Sequence, residues 1–199
     1  MQELLSQVRE FIDTKVIPVE ETVKKNGFRA SLPEINKLRA EVRKRGWWTP
    51  QMHKEHGGMG LTLVEHGLLS VELGRSQLGH YSFNCQAPDA GNMEILAQFG
   101  TEEQKKTYLE PVVRGEKRSC FAMTEPEHAG SNPVWMSTRA VKDGDDYVIN
   151  GHKWYTSSAD GASFTIVMAV TDPEQQPHFR ASRSEERCVG KECRSRWSP

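Results

Sequence analysis

The chain has 199 residues, a formal net charge of −1, 27% charged residues and 36% hydrophobic ones. So even a balance gives no field that would gather nucleic acid, and no apolar run approaches the length of a membrane span. Four cysteines without a C-x-x-C pair exclude a disulfide framework and favour reduced thiols, so a cytoplasmic protein is expected.

Leu4, Leu5, Val8, Phe11 and Ile12 recur at helical spacing, and the pattern runs past Pro18 to Asn26-Gly27, which predicts one long first helix. Ser31 and Glu34 read as a capping box for a second helix, with Ile35, Leu38 and Val42 as its apolar stripe and a basic end before Gly46. From Trp47 a loop is expected through Pro50, Gly57, Gly58 and Gly60. Thr62 and Glu65 cap the next helix, with Leu61, Val64, Leu68 and Val71 expected inward. Met93, Ile95, Leu96 and Phe99 mark a helix closed by Gly100, and Thr101 with Gln104 caps another that carries Tyr108, Leu109, Val112 and Val113. His53 and His56 are spaced H-x-x-H, but no third ligand is marked; they read as loop histidines and no metal is expected.

From Arg118 the period changes to two. Strands are expected over 119–123, 136–141, 147–154 and 164–170, the middle two forming a hairpin around Asp143-Gly144. The expected fold class is therefore α+β: an all-helical domain over 1–117, then an antiparallel β domain over 118–182. Four strands with an open edge are too few to stand alone, so the β domain reads as truncated. Residues 183–199, R-S-E-E-R-C-V-G-K-E-C-R-S-R-W-S-P, resemble the translation of a sequencing adapter and are set apart as a non-native tail.

Two stretches carry chemistry rather than packing. Residues 120–131, C-F-A-M-T-E-P-E-H-A-G-S, open as a strand and break at Thr124-Glu125-Pro126, after which the small residues Ala129, Gly130 and Ser131 follow. Little side-chain bulk there keeps a planar or phosphorylated ligand from the main-chain N–H groups. Residues 150–158, N-G-H-K-W-Y-T-S-S, supply a glycine, then aromatics, then hydroxyls. With the upstream run F-N-C-Q-A-P-D-A-G-N, these stretches resemble the flavin-binding edge of the acyl-CoA dehydrogenases. The likeness is strongest to the branch whose larger members are fused to a kinase-like domain.

The resemblance implies an FAD-dependent α,β-dehydrogenation of acyl-CoA thioesters to 2-enoyl-CoA, within fatty acid metabolism. No side chain accepts a hydride, hence the flavin. Electron-transfer flavoprotein is the implied electron acceptor, and a homo-oligomer is the implied state of the full-length enzyme. By resemblance, Phe121, Met123 and Thr124 supply main-chain and hydroxyl contacts to the flavin ring. Ser131 serves the pyrophosphate and the nearby substrate, while Tyr155 and Ser157 cover the ring, with the Ser157 hydroxyl near N5.

The family's catalytic glutamate lies in a C-terminal helical domain that this sequence is expected to lack. No catalytic residue is assigned, Glu125 reads as a structural loop carboxylate, and the chain alone is expected to be inactive. Glu127-His128 lengthens the loop beyond the common family pattern, and Asn132 stands where an acid is usual. Two rival readings stay open: a non-catalytic truncated piece, and an acyl-CoA oxidase of the same fold.

Overall fold

The computed structural model describes residues 1–130, 132–144, 146–186 and 194–195. Two compact units divide the chain, Met1–Gly115 and Glu116–Pro199.

The first unit is helical: α1 (Gln2–Phe11), α2 (Ile17–Asn26), α3 (Leu32–Lys44), α4 (Leu63–Leu73), α5 (Gly79–Ser82), α6 (Asp89–Phe99), α7 (Glu102–Gln104) and α8 (Glu110–Val113). The expected long first helix is interrupted by a π-helical turn at Ile12–Val16, where the Ile17 N–H reaches back five residues to the Ile12 carbonyl. Pro18 comes next, and its ring would press on the carbonyl four residues earlier. A wider preceding turn relieves that contact. The same arrangement recurs at Lys105–Leu109, where Glu110 N–H bonds the Lys105 carbonyl immediately before Pro111.

Val8, Phe11, Ile12 and Val16 meet Ile35, Leu38 and Val42 of α3 and Leu69 and Leu73 of α4 in one core. Phe11 lies edge-on to Trp47 at 5.9 Å and to Phe83 at 6.1 Å, so Trp47, which opens the expected loop, is also a core aromatic. Burying each such large aliphatic side chain is worth about 1.5–3 kcal/mol.

Thr62–Glu65 and Thr101–Gln104 form the expected capping boxes. Ser31 does not. Its backbone (φ −91, ψ 1) lacks the extended geometry of a cap, and its hydroxyl donates instead to the Gly27 carbonyl at 2.9 Å. The inward face of α4 also differs from expectation: Val64 and Val71 are 74% and 69% exposed, while Leu69, Glu72 and Leu73 are buried. This helix is apolar on two sides, and the bidentate Arg9–Glu72 pair, at 2.9 and 2.6 Å, fixes which side meets α1.

The second unit holds β1 (Ser119–Ala122), β2 (Arg139–Asp143), β3 (Asp146–Asn150), β4 (Phe164–Val170), β5 (Ala181–Glu186) and β6 (Arg194–Ser195). β4 lies parallel to β1 and antiparallel to β5, and it meets β2 in parallel at the single pair Arg139–Val170. β2 and β3 form the hairpin, turning at Gly144 with φ +63. The sheet is thus mixed rather than antiparallel throughout, because the long 123–138 and 151–163 connections permit crossovers that a hairpin turn cannot make. β5 runs into the segment set apart as a tail: residues 183–186 pair with 165–168. An open strand edge accepts an extended segment through main-chain groups, whatever its side chains.

Two strands are shorter than their patterns. β2 starts at Arg139 because the N–H groups of Ser137 and Thr138 donate to the Glu125 carboxylate. β3 stops at Asn150, and beyond it Lys153 and Trp154 turn toward residues 123 and 124. Among the described residues no helix is long and apolar enough to cross a membrane.

Candidate functional site

The two chemistry-bearing stretches meet along the end of β1. Trp154 N–H donates to the Thr124 carbonyl at 3.1 Å, and the Lys153 ammonium donates to the Met123 carbonyl at 2.8 Å. Phe121 lies in β1 opposite Ile166, and Met123 and Thr124 follow it, all three half-buried. Tyr155 is 80% exposed, with its ring centroid 4.6 Å from that of Trp154, and Ser157 is exposed two residues on. The structure therefore gathers Met123, Thr124, Tyr155 and Ser157 at one edge; Ser131 lies outside the described residues.

The backbone of that edge is held in uncommon conformations. Tyr155 and Ser158 have φ of +49 and +68, in the left-handed region that costs a non-glycine residue about 1–3 kcal/mol. Arg118 supports the turn by donating to the Ser158 hydroxyl at 3.2 Å. Glycine is needed at two close approaches. A Cβ on Gly130 would come within 2.8 Å of Thr124 Cγ2, and one on Gly151 within 2.1 Å of Thr138 Oγ1.

Glu125 organises the polar side. It is 2% exposed and accepts from Ser137 N–H at 2.6 Å, Thr138 N–H at 2.8 Å and Lys153 Nζ at 2.9 Å. Burial alone would raise its pKa, but the hydrogen bonds from Thr138, Lys153 and Ser137 outweigh it and hold the carboxyl at about 2. For Lys153, burial pushes the ammonium below the usual lysine range against the opposing pull of Glu125. A carboxylate so saturated with donors is a structural clasp and a poor proton acceptor.

His128 adds a misleading likeness to a hydrolase triad. Its Nε2 lies 2.5 Å from Ser137 Oγ and 3.6 Å from Glu125 Oε2. A Ser-His-acid relay needs the acid on the opposite ring nitrogen, so this grouping cannot relay a proton from serine to glutamate.

Three residues at the edge had no assigned task in the sequence reading: Lys153, Arg118 and His128. Lys153 stands in the sequence only as the K within N-G-H-K-W-Y-T-S, since a lysine's reach to a carbonyl thirty residues earlier has no periodic signature. In the helical unit, Gln51, His53, His56 and Glu94 line an open cleft of about 550 Å³. Among the described residues no three His, Cys, Asp or Glu side chains converge as a metal site.

The edge fits a flat, polar, electron-rich ring. It offers exposed aromatic surface beside hydroxyls, a strand end kept narrow by glycine, and a Thr124 N–H with no acceptor among the described residues.

Comparison with known proteins gives the family. Residues 1–116 match the family model for the acyl-CoA dehydrogenase N-terminal domain, and residues 120–184 match that for the acyl-CoA dehydrogenase middle domain. The chain is 37% identical over 193 residues to acyl-CoA dehydrogenase family member 10 of Mus musculus, covering 92% of this chain and 18% of the relative. Among solved structures it resembles an acyl-CoA dehydrogenase from Mycobacterium abscessus, at 39% identity and a TM-score of 0.84, over 92% of this chain and 49% of the other. It also resembles a glutaryl-CoA dehydrogenase from Mycobacterium smegmatis in complex with FADH2, at 28% identity and a TM-score of 0.66, over 86% of this chain and 42% of that one. The chain thus spans about a fifth of that curated relative and about half of the solved structure.

Proposed function

Because the chain belongs to the acyl-CoA dehydrogenase family, we propose that it forms the helical N-terminal part and the flavin-facing β part of an enzyme that dehydrogenates acyl-CoA thioesters to 2-enoyl-CoA. The observation that carries this reading is the junction of residues 123–124 with 153–154, where a main-chain hydrogen bond and an ammonium join two separate stretches into one edge. FAD, when bound there, supplies the hydride acceptor that side chains lack.

The chain's own residues then have distinct tasks. Phe121, Met123 and Thr124 present main-chain groups along one side of the ring. Tyr155 and Trp154 exclude water from its face, and the Ser157 hydroxyl donates to its edge. Ser131 is assigned to the pyrophosphate and the thioester side by its place in the motif. No residue of this chain is assigned as the base that removes the α proton, and Glu125 is unsuited because its carboxylate is already saturated with donors. Transfer of electrons to an electron-transfer flavoprotein, and assembly as a homo-oligomer, belong to the same reading of the longer enzyme.

The test is FAD titration of this chain, followed by quenching of flavin fluorescence. Binding is expected, and Ser157→Ala is expected to weaken it about fivefold, the worth of one hydrogen bond. Equal affinity in the two proteins would remove Ser157 from the ring edge.

A further inference from the structure

Lys153 is a costly residue whose position the flavin contacts alone do not explain. Its side chain is only 11% exposed, and burial works against its charge. Two main-chain N–H groups already donate to the Glu125 carboxylate, and Lys153 adds the compensating charge. What the placement adds is a second bond, from Nζ to the Met123 carbonyl at 2.8 Å.

That carbonyl shares a peptide unit with the Thr124 N–H. In a planar trans peptide the N–H points opposite to the C=O, so the Thr124 donor faces away from Lys153. It has no acceptor among the described residues. A cationic donor on the carbonyl oxygen draws electron density from the amide and makes its N–H a stronger donor. Glu125 holds the ammonium in place at 2.9 Å, and Trp154 N–H fixes the following carbonyl at 3.1 Å, so the peptide plane is clamped on both sides of the donor.

We infer that Lys153 is a positioning residue for the flavin site: through the Met123 carbonyl it orients and polarises the Met123–Thr124 peptide, so that Thr124 N–H meets an electron-rich carbonyl or ring nitrogen of the bound ring. The inference rests on the flavin reading above. It assigns to the ion pair with Glu125 a task at the ligand, beyond stabilising the loop.

The experiment uses the 199-residue chain with FAD as the probe, and it reads two quantities. One is the amide proton shift of Thr124 by NMR without ligand; the other is the FAD dissociation constant. In Lys153→Met the Thr124 proton is expected to move upfield and the dissociation constant to rise about tenfold, while Lys153→Arg, which keeps the cation, recovers most of both. A purely structural ion pair would lower the unfolding temperature and leave both readings unchanged, which would overturn the inference while the flavin reading stands. If Lys153→Met does not fold, Lys153→Gln carries the test: with the cation gone the Thr124 proton is expected to move upfield and FAD to bind more weakly, and an unmoved proton with unchanged affinity overturns the inference. Absence of FAD binding by the unaltered chain would overturn the flavin reading and this inference together.

Discussion

Glu125 shows how one side chain can set the shape of a ligand edge. Its carboxylate takes the N–H groups that would otherwise have begun β2 at residue 137, and it anchors the ammonium that reaches Met123. Its folded pKa, about 2, lies below the ordinary carboxylate value, so the folded state favours the ionised form. Stability from this group is therefore fully present above about pH 4.5 and is lost as pH falls through about 2, a loss on the order of 3 kcal/mol. Urea unfolding of the β unit across that window should show the decline, and Glu125→Gln should flatten it at the expense of stability near neutral pH. An equally steep acid limb in the variant would place the responsible carboxylate elsewhere. Sequence alone suggested a structural carboxylate beside Pro126, but it could not name the partners, which lie 12, 13 and 28 residues away.

At the level of elements, prolines and helix faces determine what the hydrophobic pattern leaves open. Pro18 and Pro111 each follow a π-helical turn, which lets a helical path continue through a residue that normally breaks it. The apolar spacing past Pro18 correctly indicated continuity but carried no sign of the wider turn. On α4, Leu63, Val64, Leu68 and Val71 make one apolar side, and Leu69 and Leu73 another. Periodicity could not rank them, because either side satisfies a 3.6-residue repeat. The Arg9–Glu72 pair, whose carboxylate is buried, ranks them in space. Val64→Lys is accordingly expected to change stability by less than about 0.5 kcal/mol, whereas Leu69→Ala is expected to cost about 2–5 kcal/mol, both by denaturant unfolding. The reverse order of costs would mean that α4 is turned the other way.

Over the whole molecule, each unit draws on a different source of stability. The helical unit has an aromatic and aliphatic core that gathers α1, α3 and α4 around Phe11, Trp47 and Phe83. The β unit depends on β4, whose long antiparallel partner is β5, and four of the six residues of β5 are residues 183–186. Ending the chain after Ser182 would leave Thr165, Ile166, Val167 and Met168 without those partners. Amide hydrogen exchange is expected to accelerate at least tenfold at those of the four whose N–H groups point to β5, which alternate with those facing β1, with the amides of α3 unchanged as the internal control. Unaltered exchange there would show that β5 adds nothing to the sheet.

The sequence by itself determined that a helical part precedes a β part, that β4 occupies Phe164–Val170, that Thr62 and Thr101 start helices, and that two short motifs belong to the acyl-CoA dehydrogenase family. Each of these is a local property, carried by spacing, capping chemistry or a contiguous motif. Only the tertiary structure decided that β1 and β2 run parallel to β4, that α4 buries Leu69 rather than Val64, and that Lys153 and Glu125 hold the two motifs together. Those outcomes depend on groups far apart in the chain competing for the same hydrogen bonds and the same buried volume, and no local pattern records which of them wins.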